Sequence, residues 1–265
     1  MAPIAKIALT ALCLSIAGTQ QVLAANPAYQ ANVDGVALMK AQKPKEAMAK
    51  FDEAIKTHPQ YARAYANRAG AKMTNRDYKG ALADCDKAIE LNPKLDVAYN
   101  NKAWAELHLN HFEKAVAACD EALKLSPKMA IALVNRSNAL IHLGKTKEAL
   151  EDSNKAIALD DKLPVAYVNR AHAYIALKDF EKAIADCDKA LSLEPNMARA
   201  YEDRGHAYVH LDKLDKAMAD ISKSLEIDPK LGAGYYNRAE LYRKMAMEDA
   251  KTAAKLGYSR APQDK

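Results

Sequence analysis

The chain has 265 residues, half of them apolar, and a formal net charge of +5. Such a composition can bury enough apolar surface to fold, which excludes disorder for the bulk of the chain. The positive excess is small and spread among acidic residues, so nucleic-acid and membrane binding are not indicated. The sequence has only nine glycines, no glycine-rich phosphate loop and no nucleophile elbow, so we expect no cofactor and no enzymatic activity.

The first 24 residues form a segment of a different kind. Lys6 is their only charge, and residues 7–18 are a largely apolar run of 12. With Val22 and Ala24 before the expected cleavage site, the pattern predicts a secretory signal peptide over residues 1–24. The run is shorter than the roughly 20 residues of a membrane span, although an uncleaved anchor is the alternative. We therefore expect an exported protein without stable membrane insertion, with the bacterial periplasm as first choice and secretion or anchoring as alternatives.

The rest of the chain repeats with a period of 34 residues. The repeats are 28–61, 62–95, 96–129, 130–163, 164–197 and 198–231, and a truncated seventh covers 232–258. Each contains two stretches with apolar residues at helical spacing, here helix A and helix B, joined by a short polar turn. A fixed period of this kind predicts a solenoid of stacked helix pairs over residues 25–258. Residues 259–265 lack the pattern and should form a flexible tail.

Some positions of the repeat hold the same kind of residue throughout. Position 32 is Pro59, Pro93, Pro127, Asp161, Pro195 and Pro229. Because proline cannot continue a helix, it should close helix B. Position 8 is Gly35, Ala69, Ala103, Ser137, Ala171, Gly205 and Ala239, and positions 20 and 27 are alanine apart from Ser224. Helix axes approach to about 8–10 Å only where the contact residues are small.

This pattern resembles the tetratricopeptide repeat, or TPR. The period, the small residues at positions 8, 20 and 27, the proline at 32 and a mostly aromatic position 4 all match it. The aromatic residues at position 4 are Tyr65, Tyr99, Tyr167, Tyr201 and Tyr235. The resemblance covers residues 28–258 and implies an all-α fold, a right-handed α-solenoid of antiparallel helix pairs. In that family helix A lines a concave groove, which binds peptide segments of partner proteins.

Two columns of opposite charge suggest ion pairs between the helices. Position 7 is Arg68, Lys102, Arg136, Arg170, Arg204 and Arg238, and position 23 carries Asp84, Asp152, Asp186 and Asp220. The first repeat reverses both signs, with Asp34 and Lys50, and the third has Lys102 but Ala118. Because a charge buried between helices must be paired, we expect a ladder of ion pairs. A ligand-binding role for the arginines is the alternative.

Three cysteines follow the signal peptide, all at position 24: Cys85, Cys119 and Cys187. Equivalent residues of stacked repeats should lie about 8–10 Å apart, which is too far for a disulfide. We expect buried free thiols, with a redox role as the alternative.

The resemblance places positions 2, 5, 6, 9, 12 and 13 of helix A in the groove. Position 6 is Asn67, Asn101, Asn135, Asn169, Asp203 and Asn237. A carboxamide can bond both a peptide N–H and a C=O, and the column resembles the asparagine ladder of the O-linked GlcNAc transferase repeats. The alternative is that asparagine is simply the common residue at this position and needs no ligand. Trp104, the sole tryptophan, should be an apolar anchor in the groove.

The groove should be apolar in its middle part, and its side chains should face away from the core. The apolar set is Val97, Trp104, Leu107, Ile131, Val134, Ile141, Val165, Val168 and Ile175. The family's dicarboxylate clamp is absent, since its nearest window reads Val134, Asn138, Asn169, Arg199 and Asp203. This argues against a cytosolic chaperone adaptor. The candidate peptide-binding set is Asn67, Asn101, Trp104, Asn135, Asn138, Asn169, His172 and Arg199.

Three histidines lie close together in the groove pattern. His206 and His210 are four residues apart, and His172 holds the position of His206 one repeat earlier. No further ligand is evident, so we expect no metal site, although metal binding and a pH response near 6 both stay open. The sequence therefore predicts a non-catalytic adaptor or assembly factor that binds an extended peptide of an exported or envelope partner. A self-associating spacer or scaffold is the alternative.

Overall fold

The computed structural model describes residues 26–258. The expected signal peptide, residues 1–24, and the expected tail, residues 259–265, lie outside the described residues. The described part folds into thirteen α-helices with no strand. These are α1 (Pro27–Lys40), α2 (Pro44–Thr57), α3 (Ala62–Thr74), α4 (Tyr78–Leu91), α5 (Asp96–His108), α6 (Phe112–Leu125), α7 (Ala130–His142), α8 (Thr146–Leu159), α9 (Pro164–Ala176), α10 (Phe180–Leu193), α11 (Ala198–His210), α12 (Leu214–Ile227) and α13 (Gly232–Lys255).

Odd-numbered helices are the A helices and even-numbered ones the B helices of successive repeats. The chain has two compact parts, defined below. Among the helices of one part, an A helix contacts its own B helix, the preceding B helix and the preceding A helix. The predicted all-α class, an α-solenoid of antiparallel helix pairs, is confirmed. The chain divides into two compact parts, which we call the N-terminal block, up to Asn135, and the C-terminal block, from Arg136 onward. No helix among residues 26–258 combines the length and apolar character needed to cross a membrane.

The turn between helix A and helix B has the same geometry in all six complete repeats. Position 15 has positive φ, between 57° and 70°, at Gln42, Arg76, Asn110, Gly144, Lys178 and Asp212. The next residue donates its N–H to the carbonyl five residues earlier, as from Asp77 to Lys72 at 3.0 Å and from Asp179 to Tyr174 at 2.9 Å. This is the Schellman type of helix ending, which satisfies carbonyls that the last turn leaves unpaired. Only one repeat uses glycine, the residue with no steric penalty there.

The B helices end where the sequence predicts. The last helical residue is two positions before the residue at position 32, as at Leu91 before Pro93 and Ile227 before Pro229. Tyrosine at position 4 of the next A helix then anchors the linker, because its hydroxyl donates to the carbonyl of position 32. Tyr99 bonds Pro93 at 3.3 Å, and Tyr235 bonds Pro229 at 3.1 Å. Where this bond forms, the tyrosine ties the linker to the next A helix.

The core between helices A and B is built from small residues. The alanines at position 20 are fully buried, as are the alanines and Ser224 at position 27. Position 8 also contacts position 24, and the smallest residues at position 8 accompany the largest at position 24. Gly35 faces Phe51 and Gly205 faces Ile221, while an alanine accompanies each cysteine and Ser137 hydrogen-bonds Ser153 at 2.7 Å. Added side chains at the two glycines would come within 2.5 Å of Phe51 and 2.8 Å of Ile221. Each helix pair thus keeps a constant spacing by complementary volumes.

The three cysteines at position 24 are buried thiols that form no disulfide, as expected. Burial raises the pKa of the Cys85 thiol to about 12 and that of Cys187 well above its usual range. Thiols with so little thiolate at neutral pH are poor nucleophiles, so their contribution is to packing.

Candidate interaction surface on the A helices

The predicted ion-pair ladder is confirmed and orients the A helices. Four arginines at position 7 each bind the aspartate sixteen residues later with two hydrogen bonds of 2.6–2.8 Å. The pairs are Arg68–Asp84, Arg136–Asp152, Arg170–Asp186 and Arg204–Asp220. The hydrogen bonds that Arg170 donates to Asp186 raise the pKa of Arg170. Each aspartate is buried, so the pair fixes helix A against helix B within one repeat.

The same arginines also reach back to the preceding repeat, which the sequence analysis missed. Arg68 donates to Asp52 at 2.7 Å, and Arg204 donates to Asp188 at 2.5 Å. Lys102, whose own repeat has Ala118 at position 23, binds Asp86 at 2.6 Å. These partners lie sixteen residues before the cation, so the spacing was visible in the sequence. The column therefore links consecutive repeats as well as the two helices of one repeat.

The reversed pair expected in the first repeat is wrong. Lys50 binds Glu53, three residues later on its own helix, at 2.7 Å, and Asp34 accepts a hydrogen bond from Gln30 at 2.8 Å. Both contacts are local ones within a helix, and Asp34 acts on Lys50 only through its charge, without a direct ion pair.

The asparagines at position 6 join neighbouring A helices. Asn67 donates to Asn32 at 2.8 Å, Asn101 to the Ala66 carbonyl at 2.9 Å, Asn135 to Asn100 at 3.0 Å and Asn237 to Glu202 at 2.6 Å. In each case the acceptor belongs to position 5 of the preceding repeat. In each of these carboxamides, one N–H therefore donates to an acceptor within the protein and is not available to a ligand. The expectation that Asn135 and Asn169 face outward is wrong, since they are only 7% and 2% exposed, whereas Asn67 and Asn101 are half-buried.

Trp104 lies at the edge of the core rather than fully in the open. It is half-buried and packs against a cluster that includes Met73 and Cys85. His108 contacts the indole edge-on, with ring centroids 5.1 Å apart, and stacks on Tyr78 at 4.5 Å. One part of the indole is therefore fixed by packing while another part reaches the surface.

The predicted apolar strip is narrower in the structure. Leu107, Val134 and Val168 are buried, which corrects their expected exposure. Ile131 and Val165, both at position 2, are 44% and 41% exposed. Positions 2, 9 and 13 recur on one side of a helix, and in most repeats they are exposed or half-buried. We call the surface that these three positions form within each block the A-helix face. Trp104, Asn138, His172 and Arg199 of the candidate set belong to it.

The A-helix face of the C-terminal block is rich in basic side chains. His172 Nδ1 lies 3.1 Å from Asp203 Oδ1, and His206 Nε2 lies 3.1 Å from His210 Nε2. His210 also stacks on Phe180 with ring centroids 4.5 Å apart. The bond to Asp203 raises the pKa of His172, whereas burial and then the neighbouring His210 lower the pKa of His206. Among residues 26–258 no three histidine, cysteine or acidic side chains are arranged to hold a metal ion.

Two adjacent carboxyl groups are buried beneath these histidines. Glu202 and Asp203 are 6% and 2% exposed. Burial, followed by repulsion from Asp203, raises the pKa of Glu202 to about 7. In the sequence, Asp203 is visible only as an aspartate in a column of asparagines, and no role is predicted for Glu202. The signal that could have found them was the pair of consecutive acids on the inward side of helix A.

A cavity of about 470 Å³ lies in the N-terminal block where the third repeat lacks the aspartate at position 23. Ala118, Lys102 and Glu106 line it together with Lys114 and Asp86. Glu106 is buried and bonds His111 at 2.7 Å. The cavity thus marks the missing ion pair, and its lining carries both signs of charge.

Comparisons with known proteins bear on the family. Sequence models described as tetratricopeptide repeat match residues 35–96, 100–164 and 171–247. No curated protein sequence matches the chain.

Solved structures show the same architecture at low sequence identity. A chain of the APC/C hetero-tetramer Cut9–Hcn1 aligns with a TM-score of 0.74 and 19% identity, over 83% of this chain but only 43% of that longer one. PilW, described as a widely conserved type IV pilus biogenesis factor, aligns with a TM-score of 0.66 and 18% identity over 79% and 97%. YrrB, described as a TPR protein with an unusual peptide-binding site, gives 0.52 and 21% over 71% and 97%. At such identities the likeness concerns the fold alone.

Proposed function

The chain belongs to the tetratricopeptide repeat family, whose members are protein–protein interaction modules, and on that premise we propose that it is a non-catalytic adaptor or assembly factor. It binds an extended peptide of an exported or envelope partner on the A-helix face. The observation that carries the proposal is the exposure of large apolar residues there, Val165 in the C-terminal block and Ile131 in the N-terminal block. Apolar groups exposed on a face otherwise fixed by ion pairs and asparagines are typical of a binding surface.

The geometry changes which candidate residues carry the contact. Asn67, Asn101 and Asn135 each spend a donor on the preceding A helix, so their first role is to hold the A helices together. Trp104 supplies a partly fixed aromatic surface, as binding anchors commonly do. Asn138, His172 and Arg199 add polar groups on the same face, in the positions nearest to a bound peptide.

The location of the partner is proposed from residues 1–24 and from precedent. A signal peptide directs the mature chain to an envelope or external compartment. PilW, similar in fold, is described as a pilus biogenesis factor, which is a precedent for this fold in an assembly role. Fractionation of cells that express the full chain tests this point, because a chain found uncleaved in the cytosol would contradict export.

Site-specific photo-crosslinking tests peptide capture on this face. A benzoyl-phenylalanine at position 165 should crosslink to a discrete partner segment in envelope extract. The matched control is position 159 at the end of α8, because Leu159 is 43% exposed against 41% for Val165. A synthetic peptide of the crosslinked segment should then bind the wild-type chain and the Leu159→Glu variant, but not Val165→Glu. Equal crosslinking at both positions, or none at 165, would contradict the proposal.

Self-association is the second candidate, and the ends of the repeat array favour it. Tyr236 is at position 5, which is buried in the six preceding repeats, and it is 71% exposed. Val33, at position 6 of the first repeat, is also exposed. These two positions contact each other between consecutive repeats elsewhere, so a second copy could supply the missing neighbour. Sedimentation velocity over a concentration series tests this contact. The wild-type chain should associate as the concentration rises, whereas the Tyr236→Ser variant should stay monomeric.

A further inference from the structure

Five basic side chains gather on the A-helix face of the C-terminal block. They are His142, His172, Arg199, His206 and His210, which we call the basic cluster. Their charges interact: Arg199 and His172 lower the pKa of His142, and His210 and His172 contribute to lowering that of His206, with burial as the larger cause in both. Arg199 is exposed, and no acidic group of the described residues lies within 4 Å of it as an ion-pair partner. Like charges held together in this way are stabilised by an anionic ligand.

The acidic groups around the cluster are few and mostly committed. On α11, Asp203 is occupied by His172, and Glu202 accepts from Asn237 of α13 at 2.6 Å. On the far side of His210, Asp212 pairs with Lys244 at 2.6 Å.

The helices packed against α11 add further charged groups, among them Glu248, which pairs with Lys251 at 3.0 Å in the cavity beside His210. Glu240 of α13 acts on His206, and Arg243 lines the adjacent cavity with Glu240 and His210. On α10 the Cys187 thiol is kept protonated by its raised pKa. Asp203, Glu202 and Glu240 thus act on the histidines of the cluster, while the exposed Arg199 forms no ion pair within 4 Å among the described residues.

Acidification makes this surface more positive by two routes at once. Protonation of His142 and His206 adds charge, and protonation of Glu202, whose pKa is raised to about 7, removes a negative charge beneath them. His172 keeps its proton to higher pH than usual because of Asp203. Between pH 7.5 and 6 all these changes have the same sign.

We propose that the basic cluster binds an acidic stretch of the captured peptide, and that it does so more tightly as the pH falls. This deepens the proposed function and rests on it, because it assigns the peptide's chemistry and its regulation. The exposed Val165 occupies position 2 one repeat before Arg199, so the face offers an apolar contact beside a cationic one. A peptide that carries both acidic and apolar residues can use the two contacts.

Binding should take up protons. The lowered pKa of His206 leaves its imidazole neutral near pH 7, and a ligand carboxylate beside it favours the charged form. By linkage, each proton taken up strengthens binding by up to about tenfold per pH unit. Because a peptide glutamate stays ionised above about pH 5, the pH dependence between 7.5 and 6 belongs to the protein.

The test uses the mature full chain and a fluorescent (Glu-Val)4 peptide, with (Gln-Val)4 as the neutral control. Anisotropy titrations at constant ionic strength should show binding of (Glu-Val)4 that strengthens by about tenfold from pH 7.5 to 6, as an average uptake of about two thirds of a proton requires. Calorimetry in two buffers of different ionisation enthalpy should show net proton uptake. Equal affinity for both peptides, a flat pH profile, or no binding of either peptide at pH 6 would overturn the proposal.

Matched variants separate the cluster from general effects. His206→Gln with His210→Gln should reduce the pH dependence and leave the part that comes from His142 and Glu202, while Arg199→Gln should weaken binding at every pH. His108→Gln is the control, because His108 holds the repeat position of His210 and stacks on Tyr78 as His210 stacks on Phe180. An unchanged pH profile in the double variant would refute the assignment. Displacement of the peptide by inorganic phosphate at equal concentration would refute the peptide class in favour of a small anion.

The outcomes distinguish this inference from the proposed function itself. Specific crosslinking at position 165 together with a flat pH profile would leave the adaptor in place and remove the basic cluster from its mechanism. Absence of crosslinking at position 165 together with pH-dependent (Glu-Val)4 binding would contradict capture of a natural partner there, while the acid-strengthened affinity stood.

Discussion

Paired residues sixteen positions apart determine how each helix pair fits. The small residue at position 8 and the larger one at position 24 form one such set, and the arginine at position 7 with the aspartate at position 23 forms the other. Both sets connect helix A to helix B, one by volume and one by charge. Each can therefore be tested by a single substitution and its compensating partner.

Gly205→Ala should lower the free energy of unfolding by about 1–3 kcal/mol, because the added methyl would lie 2.8 Å from Ile221 Cγ1. Adding Ile221→Cys should recover most of the loss, since alanine and cysteine occupy the same two positions at Ala171 and Cys187. Urea denaturation measures both. Gly232→Ala is the control, because nothing lies within 4 Å of its added carbon. Lack of rescue would mean that the two positions do not share one space.

Arg170→Ala should destabilise the chain by about 1.5–3 kcal/mol, since it leaves the buried Asp186 without its charged partner. Lys102→Ala should cost about 0–1 kcal/mol, because its partner Asp86 is exposed. A double-mutant cycle with Asp186→Ala measures the coupling energy of the first pair. Zero coupling, or equal costs for the two single variants, would be inconsistent with a buried ladder.

In each complete repeat, helix A ends just before position 15, where the backbone is left-handed and most of the residues present do not favour that conformation. Position 15 has positive φ in every complete repeat, yet glycine occupies it only at Gly144. The remaining five residues hold a left-handed conformation that is unfavourable for a side chain with a Cβ atom. The packing of helices A and B therefore imposes the turn on sequences that would not adopt it alone.

Lys178→Gly should stabilise the chain by about 0.5–1 kcal/mol, because glycine relieves the strain of the left-handed residue. The reverse change, Gly144→Ala, should destabilise it by about 1 kcal/mol. Thermal melting of both variants gives the comparison. The same direction of change for both would show that the turn is not limited by this residue.

Contacts between repeats stabilise the whole array, and these contacts differ in how their strength depends on pH. The asparagine contacts do not titrate, whereas the contact of Asn237 with Glu202 replaces one carboxamide by a carboxyl group. A carboxyl group with a raised pKa binds its proton more tightly in the folded than in the unfolded chain. It therefore favours folding more at low pH, and this advantage is lost as the pH rises through the folded pKa of about 7.

Glu202→Gln should raise the melting temperature at pH 8, where the native carboxyl is ionised and buried, and should have little effect at pH 5. The stabilisation at pH 8 is at most about 3 kcal/mol, from the difference between the pKa of about 7 and the ordinary value of 4.5. The glutamine can still accept from Asn237, so the hydrogen bond is retained. Melting curves from pH 5 to 8 measure the effect, and a constant offset at all pH values would exclude titration of Glu202 as its cause.

Sequence alone determined the helix pairs, the close contacts at positions 8, 20 and 27, the buried thiols and the Arg–Asp pairs. Each follows from a short-range rule repeated six times, so an error in one repeat is corrected by the others. The reversed pair of Asp34 and Lys50 was predicted wrongly because exposed charges have several partners of similar energy within their own helix.

Tertiary structure decided which groove positions are exposed. Helix periodicity gives the direction of a side chain about the axis of its helix. The exposure of Asn135 depends in addition on the neighbouring A helix that holds Asn100. Contacts of this kind between A helices cover position 5 and most of position 6. The carboxamides therefore bond between repeats. The same stacking buries Glu202 and Asp203 under a group of histidines, and only that three-dimensional proximity raises the pKa of Glu202 and gives the basic cluster its response to pH.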